Sequence, residues 1–228
     1  MNAFASGEYW ERRYRAGGHS GTGSCGHLAA FKAGVINGFV ADNAIADVLD
    51  LGCGDGHLLS LLQVPGYVGV DVSSAALASC VARFPQHRFL PFAALNAATR
   101  ADLAMSIDVV FHLVEDAVFV SYMHALFGHA KRYVLVYSSN TDRTWSSPHV
   151  LHRRFTDFVA DCRPEWRLLA HVPNHYPFDP QRPDETSFSD FFVYGHHDSG
   201  CSVRIPSPAS RERAMVRSTE GEGDRAGR

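Results

Sequence analysis

The sequence predicts an α/β fold in which helices cover both faces of a mostly parallel β-sheet. Three observations lead to this prediction. A short apolar segment, 47–51, runs directly into glycines at positions 52, 54 and 56. A second apolar segment, 67–71, ends in an acidic residue. Further apolar segments alternate with stretches of helical periodicity, which is the pattern of a parallel sheet built from strand–helix units.

The region before the first predicted strand contains an aromatic helix, a glycine-rich run and a longer helix. Residues 8–15 predict a short amphipathic helix whose apolar side carries Tyr9, Trp10 and Tyr14. Residues 17–26 follow no strand and contain no Gly-Lys-Ser/Thr, so a phosphate-binding loop is not indicated. This run is either a flexible surface loop or the hinge of a lid, spanning 8–26, that excludes water from a pocket. Helical periodicity over 28–40 predicts a helix on the sheet.

The rest of the chain alternates between predicted strands and helices. Strands are predicted at 47–51, 67–71, 87–92, 102–106 and 132–137, and helices at 57–62, at 73–83, up to about 128 and at 148–165. Two closing strands, 166–172 and 188–194, are joined without a helix and can pair antiparallel. The predicted organisation is an N-terminal lid segment at 1–27, one domain at 28–200 and a tail at 206–228. This tail has hardly any large apolar residue and is expected to be disordered.

The glycine turn after the first strand is the strongest functional signal in the chain. Glycine adopts backbone conformations closed to other residues and lets a ligand approach the main chain closely. A dinucleotide-binding fingerprint would place its third glycine at position 57, where this chain has His57. Asp71, at the end of the second strand, could accept both hydroxyl protons of a ribose. Alternatively, Asp71 only caps the helix that follows it.

The segment Val48–Gly56, which reads VLDLGCGDG, resembles motif I of the class I S-adenosylmethionine-dependent methyltransferases. Residues 69–73 resemble the next motif of that family, and the similarity extends over roughly residues 28–196. The resemblance implies a doubly wound, mostly parallel seven-stranded sheet with an antiparallel C-terminal hairpin. It also implies that the cofactor is S-adenosyl-L-methionine and that the glycine turn contacts the methionine part of it.

The candidate cofactor-binding residues come from these motifs, from the ends of later strands and from the aromatic helix. They are Asp50, Gly52, Cys53, Gly54, Gly56, Asp71, Val72, Asn96, Ser106, Trp10 and Arg13. Asn96 is the one amide near the position where the family binds the adenine amino group. Arg13 could meet the carboxylate of the cofactor or of an acidic acceptor, although a solvated arginine fits its position equally well.

The resemblance does not identify the methyl acceptor. His112 follows the fourth strand, at the sheet edge where doubly wound folds place their chemistry, and is the first candidate for a catalytic base. Tyr137 is the second catalytic candidate, and Asp108 and Glu115 are weaker ones. Further alternatives for the base are the histidines at 149, 152 and 175. The runner-up functions are a nicotinamide-dependent oxidoreductase and a protein that binds S-adenosylmethionine without turnover.

The near-neutral charge favours a small-molecule acceptor, such as a sugar or a secondary metabolite, over nucleic acid. The net charge of −3 gives no long-range electrostatic case for binding nucleic acid or an anionic membrane. The chain has no apolar run near about 18 residues and no signal-peptide pattern, so a cytoplasmic location is expected. The five cysteines are scattered without a C-x-x-C pair, which favours reduced thiols, and no metal site is expected.

Overall fold

The computed structural model of the protein describes residues 4–199 and 203–205. Seven strands in this part of the chain form one sheet: β1 Asp47–Leu51, β2 Gly66–Asp71, β3 Arg88–Pro91, β4 Ala101–Ile107, β5 Ala130–Ser138, β6 Trp166–Val172 and β7 Asp190–His196. The α-helices are α1 Ser6–Arg15, α2 Gly26–Asp42, α3 Ser74–Arg83, α4 Asp116–Gly128 and α5 Phe155–Cys162. Short 3₁₀ helices lie at Thr22–Ser24, Leu58–Leu61, Phe92–Ala94, Val110–His112 and His197–Ser199.

The strand order is β3-β2-β1-β4-β5-β7-β6. Strands β1 to β5 pair in parallel, and β7 lies antiparallel between β5 and β6. This arrangement confirms the predicted doubly wound sheet and its antiparallel C-terminal hairpin. The chain moves outward from β1 to β3 and then returns to β4 on the other side of β1. The carboxyl ends of β1 and β4 therefore flank a topological switch point, which is where such sheets bind ligands.

Alternate side chains along each strand enter two separate cores, one on each face of the sheet. Val48 and Leu49, which are neighbours in β1, belong to opposite cores. On the first face α2 contributes Phe31 and Phe39, as its predicted position on the sheet required. On the second face α4 contributes Met123, and α5 packs beside it. Because both faces are covered, ligands can reach the strands only at the ends of the sheet.

The helix predicted at 57–62 is wrong. The chain forms a 3₁₀ turn at Leu58–Leu61, and β2 begins only a few residues later at Gly66. Pro65 stands immediately before that strand. Such a short connection favours the tighter 3₁₀ turn over an α-helix.

The helix predicted at 148–165 begins only at Phe155. The residues before it are held by contacts outside the segment, because the main-chain N–H of Leu151 donates to the carbonyl of Phe111 at 2.8 Å. In addition, Nδ1 of His152 lies 2.7 Å from the hydroxyl of Ser139. These contacts fasten the segment along the short 3₁₀ helix that carries His112.

Three further expectations from the sequence concern the C-terminal tail, the cysteines and membrane-spanning helices. The predicted disordered tail, 206–228, lies outside the described residues, as does Cys201. The four cysteines that the structure describes are free thiols. No helix within the described ranges combines the length and the apolar character needed to cross a membrane.

Candidate active site at the carboxyl edge of the sheet

A cavity of about 470 Å³ opens at the carboxyl ends of β1, β2 and β4. This volume lies in the range of small-ligand sites. The strand ends and the glycine turn contribute Asp50, Gly52, Cys53, Asp55, Asp71, Val72, Ile107, Asp108, Val109 and His112 to its wall. The helices contribute Ser6, Gly7, Trp10, Tyr14, Lys32, Ala117, Val118, Ser121 and Tyr122. The wall thus brings the two sequence motifs together with residues from three helices.

The glycine turn needs glycine for both conformation and space. Gly52, Gly54 and Gly56 have φ angles of 83°, 57° and 73°, in the left-handed region that favours glycine. A Cβ atom on Gly52 would lie 2.4 Å from a methyl group of Val109. A Cβ atom on Gly54 would lie 2.5 Å from the hydroxyl oxygen of Ser20. Of the three glycines only Gly52 lines the cavity, whereas Gly56 lies against α3.

Asp71 lines the cavity and bridges the two motifs. Its Oδ2 accepts a hydrogen bond from the N–H of Gly54 at 2.9 Å, and its Oδ1 accepts one from the N–H of Ser73 at 2.8 Å. Burial nevertheless raises the pKa of this carboxyl group. The hydroxyl of Ser73, and not Asp71, caps α3 by accepting from the N–H of Ala76. The N–H of Val72 also acts on the carboxylate of Asp71, in the direction of a lower pKa. The remaining acceptor capacity of Asp71 can receive a ribose hydroxyl.

Asp50 presents a buried acceptor without a partner. Its Oδ2 accepts a hydrogen bond from the hydroxyl of Tyr67 at 2.8 Å. Its Oδ1 is buried and has no hydrogen-bond partner among the described residues. Burial raises the pKa of Asp50 to about 7, and the charge of Asp71 acts in the same direction. Buried polar atoms are normally satisfied, so this one indicates a place for a donor from a ligand.

His112 places a neutral nitrogen base in the cavity. Its Nδ1 lies 2.8 Å from the main-chain carbonyl oxygen of His149. Because a carbonyl can only accept, Nδ1 carries the hydrogen and Nε2 carries the lone pair. Burial lowers the pKa of His112 to about 4, so the ring is uncharged at neutral pH. Trp10 stands edge-on to this ring at 4.8 Å between ring centroids.

Asp108, directly after β4, adopts a conformation that is rare for its residue type. Its φ is 58°, and its N–H donates to the carbonyl of Tyr137 at 2.9 Å. Its carboxylate forms an ion pair with the ammonium of Lys32, whose side chain is 2% exposed. Residues held in sparsely populated backbone conformations cluster at functional sites. The structure therefore places Asp108, a weaker candidate from the sequence, at the site and adds Lys32 to it.

Helix α1 lies over the cavity and is held to the N-terminus of α3. Trp10 and Tyr14 of this helix line the cavity. The carboxylate of Glu11 accepts hydrogen bonds from the hydroxyls of Ser73 and Ser74, both at 2.7 Å. These bonds lower the pKa of Glu11 to about 2, with the bond from Ser73 as the largest cause. Glu11 thus joins the covering helix to the segment that follows Asp71.

Two further contacts fasten the N-terminal segment. The N–H of Ser6 donates to Oε1 of Glu115 at 2.8 Å, just before α4. The hydroxyl of Ser20 donates to Oδ1 of Asp55 at 2.9 Å and lies 2.9 Å from the hydroxyl of Tyr14. The glycine-rich run is therefore fastened to the glycine turn as well as to the helix before it.

Besides Gly54 and Gly56, four of the predicted site residues lie away from the cavity wall. Tyr137 is 2% exposed and packs against Phe191 at 4.5 Å, because the alternation along β5 turns it into the core. Asn96 is exposed, and its amide bonds only to main-chain groups of its own segment. Ser106 is buried behind the hydroxyl of Tyr122, at 2.7 Å.

Arg13 is the fourth of these residues. Its Nε donates to the carbonyl of His19 at 2.8 Å, and its guanidinium lies 5.7 Å from the ring centre of Trp10. Among the alternative bases, His149 stacks on His112 at 5.4 Å without lining the cavity. The side chain of His175 packs against Tyr176 instead.

Sequence reasoning missed several cavity residues. Phe92 lies directly after β3 and lines the cavity, whereas Asn96, the residue predicted to contact the adenine amino group, does not. Its position at the end of a predicted strand could have identified Phe92 as a site residue. Val118 and Tyr122 reach the cavity from α4, and their role depends on how that helix is placed. No local pattern identifies them.

Comparisons with known proteins agree with this architecture. A family model described as a methyltransferase domain matches residues 27–183. The N-methyltransferase NodS of Bradyrhizobium japonicum, in complex with S-adenosyl-L-homocysteine, is similar at a TM-score of 0.60 and 12% identity, over 84% of this chain and 98% of that one. Magnesium protoporphyrin IX methyltransferase of Synechocystis with bound S-adenosylmethionine is similar at a TM-score of 0.55 and 17% identity, over 86% and 100%. Among curated protein sequences, none matches this chain significantly.

Proposed function

Because this chain belongs to the class I S-adenosylmethionine-dependent methyltransferases, we propose that it transfers a methyl group to a hydroxyl or amine of a small molecule. The observation that carries the proposal is that one cavity joins two acids beside a glycine turn to an uncharged histidine. The acids suit the cofactor, and the histidine suits proton removal from an acceptor.

The residues present fit S-adenosylmethionine. Asp71 would hold the ribose, since its remaining acceptor capacity can receive a ribose hydroxyl. The unpartnered Oδ1 of Asp50 would accept from the ammonium of the methionine part. Gly52 and Cys53 would leave room for that part along the main chain. When bound, this cofactor supplies an electrophilic methyl group on a sulfonium.

His112 is the proposed general base. Its Nε2 carries the lone pair, because the carbonyl of His149 fixes the hydrogen on Nδ1. It would take the proton of the acceptor hydroxyl or amine as that group attacks. A positioned general base contributes about 10² to 10⁴ in rate, and the low pKa of His112 places its contribution at the lower end of that range. Most of the remaining acceleration would come from holding the acceptor in a closed cavity, which can supply about 7 to 11 kcal/mol.

A small acceptor is supported by the size of the cavity and by the low net charge of the chain. The same charge argues against nucleic acid and an anionic membrane as partners. Two similar structures are named for small acceptors, magnesium protoporphyrin IX and mitomycin. The mitomycin 7-O-methyltransferase MmcR is similar at a TM-score of 0.52 and 16% identity, over 74% of this chain and 54% of that one.

The proposal includes a covering role for residues 8–26. Trp10 and Tyr14 line the cavity from above, and the contacts of Glu11 and Ser20 hold the segment closed. Opening these contacts would let cofactor enter and product leave, while closing them would exclude water. This function requires that the segment move between an open and a closed position.

Two measurements test the proposed function. Calorimetric titration should show micromolar binding of S-adenosylhomocysteine and no binding of NADH, and the reverse result would contradict the proposal. Incubation with S-adenosylmethionine and a panel of alcohols, phenols, sugars and amines should give a product that has gained one methyl group. Tight binding of the cofactor without a methylated product from any acceptor would instead support a binding protein.

A further inference from the structure

The charged groups of the cavity wall are strongly unequal in sign. Lys32 is the one lysine or arginine among the described residues that line the cavity. The same wall carries four carboxyl groups, those of Asp50, Asp55, Asp71 and Asp108. The cofactor proposed above carries a sulfonium, an ammonium and a carboxylate, so its net positive charge offsets part of this excess. The excess of negative charge also limits which acceptor molecules can enter the cavity.

The positive charge of Lys32 is already neutralised. Its ammonium is paired with Oδ2 of Asp108, and the two side chains are only 2% and 18% exposed. Asp108 is held in this position by its left-handed backbone and by its hydrogen bond to the carbonyl of Tyr137. Gly23 lies against the same carboxylate, since a Cβ atom there would be 3.6 Å from Oδ2. The ion pair is therefore fixed from several sides.

Arg13, which lies beside the lining residue Trp10, does not replace that charge. The guanidinium of Arg13 is engaged with the carbonyl of His19 and the face of Trp10, and it does not line the cavity. With Asp50 and Asp71 occupied by the cofactor, an acceptor carboxylate or phosphate would lie near Asp108. It would find Lys32, the one lysine or arginine of the described wall, already paired. Burying an unpaired charge costs several kcal/mol even after relaxation.

We propose that the acceptor is neutral or cationic, that it carries no carboxylate or phosphate near the reacting group, and that Asp108 enforces this selection by pairing with Lys32. This inference rests on the proposed function. The lone pair on Nε2 of His112 adds a second requirement, because the acceptor must offer it a hydrogen. Alcohols, phenols and amines meet both requirements, whereas carboxylic acids, which are ionised at neutral pH, meet neither.

The test uses three probes of matched size, benzylamine, benzyl alcohol and benzoate. Each is titrated at neutral pH into the full-length protein loaded with S-adenosylhomocysteine, and binding is measured by ligand-observed NMR. The wild-type protein should bind benzylamine and benzyl alcohol at least tenfold more tightly than benzoate. Comparable binding of benzoate would overturn the proposal. Absence of binding by all three probes would overturn it as well, since the cavity must admit an acceptor beside the cofactor product.

Asp108→Asn tests the role of the ion pair. Asparagine tolerates the left-handed backbone, and binding of S-adenosylhomocysteine by the variant verifies that it is folded before the probes are compared. The substitution leaves the charge of Lys32 unpaired, so an anion that enters the cavity can pair with it. Benzoate binding should then tighten about tenfold and benzylamine binding should weaken. Adding Lys32→Met should remove the gain for benzoate. The matched control is Asp184→Asn, which makes the same charge change at an exposed position away from the cavity and should alter neither probe.

The outcomes separate this inference from the proposed function. If Asp108→Asn leaves the preference between the probes unchanged, the ion pair does not set acceptor charge and the inference fails. Failure of the proposed function would appear earlier, as an inability of the wild-type protein to bind S-adenosylhomocysteine.

Discussion

The main-chain N–H of Gly54 donates a hydrogen bond to Oδ2 of Asp71 across 2.9 Å. This bond joins the turn after β1 to the end of β2, so the two sequence motifs form one surface. It also separates two interpretations of Asp71. The helix that follows is capped by Ser73, which leaves Asp71 directed at the turn and the cavity.

Asp71→Ala should weaken binding of S-adenosylhomocysteine about ten- to a hundredfold. The loss of a charged acceptor costs roughly 1.5 to 3 kcal/mol when its donors are left unpaired. Calorimetric titration measures the change on folded protein. Asp47→Ala is the matched control, because it removes a carboxylate that also accepts a main-chain N–H, at the opposite end of the sheet. Equal affinity in the Asp71 variant and the wild type would show that Asp71 has only a structural role.

Cofactor binding should release a proton from Asp50. Its pKa of about 7 leaves the carboxyl group roughly half protonated near neutral pH, and a bound ammonium would favour the ionised form. Titrations of S-adenosylhomocysteine at pH 6.5 in buffers of different ionisation enthalpy should reveal this release. Asp50→Asn should abolish it, and an unchanged release in that variant would assign the proton to another group.

The same group makes folding stability depend on pH. The pKa of Asp50 is raised in the folded state, from 3.8 to about 7, so the folded protein holds a proton that the unfolded chain loses. Its contribution is fully present below about pH 4 and is lost as the pH rises through 7, on the order of 4 kcal/mol in total. The Asp50→Asn variant should not show this loss of folding stability as the pH rises. Urea unfolding at pH 5 and pH 8 measures it.

His112→Asn should lower turnover about 10²-fold, the lower end of the range for a positioned base, with little effect on cofactor affinity. The asparagine amide can replace Nδ1 as donor to the carbonyl of His149, while the base at Nε2 is removed. Single-turnover rates with an acceptor found in the panel measure the loss. Near-normal turnover would exclude His112 as the base.

His112 should also titrate far below an ordinary histidine. Burial lowers its pKa to about 4, so its contribution to stability is present above about pH 6.5 and is lost as the pH falls toward 4. The loss should be on the order of 3 kcal/mol. NMR titration of the ring protons gives the pKa directly. A value near 6.5 would mean that the ring is open to solvent.

Glu11→Gln should loosen the covering helix. Its carboxylate accepts from the hydroxyls of Ser73 and Ser74 and from the N–H of Ala75, and an amide oxygen replaces these contacts only in part. Hydrogen exchange over residues 6–15 should become faster, and addition of S-adenosylhomocysteine should slow it again. Glu8→Gln, an exposed change on the same helix, is the control. If exchange in this segment does not respond to ligand, the lid is contradicted.

Local sequence patterns were sufficient for most of the fold. The strands, the glycine turn and the closing hairpin are set by short apolar runs and by glycine, whose effects act within a few residues. Two helix predictions show the limit of such patterns, since the first is wrong and the second holds only from Phe155 onward. Residues 57–62 are apolar enough for a helix, but β2 follows too closely, and residues 149–154 are held by Phe111 and Ser139 from outside the segment.

By itself, the sequence determined the fold class, the cofactor and the position of Asp71, because motif spacing and backbone preference are local properties. Tertiary structure alone decided which side chains share the cavity. Lys32 and Asp108 are separated by 76 positions and meet only because α2 packs beside the end of β4. Likewise, the lone pair of His112 lies on Nε2 because Nδ1 donates its hydrogen to the carbonyl of His149, 37 positions away. Contacts of this kind depend on how whole elements pack, which no short stretch of sequence encodes.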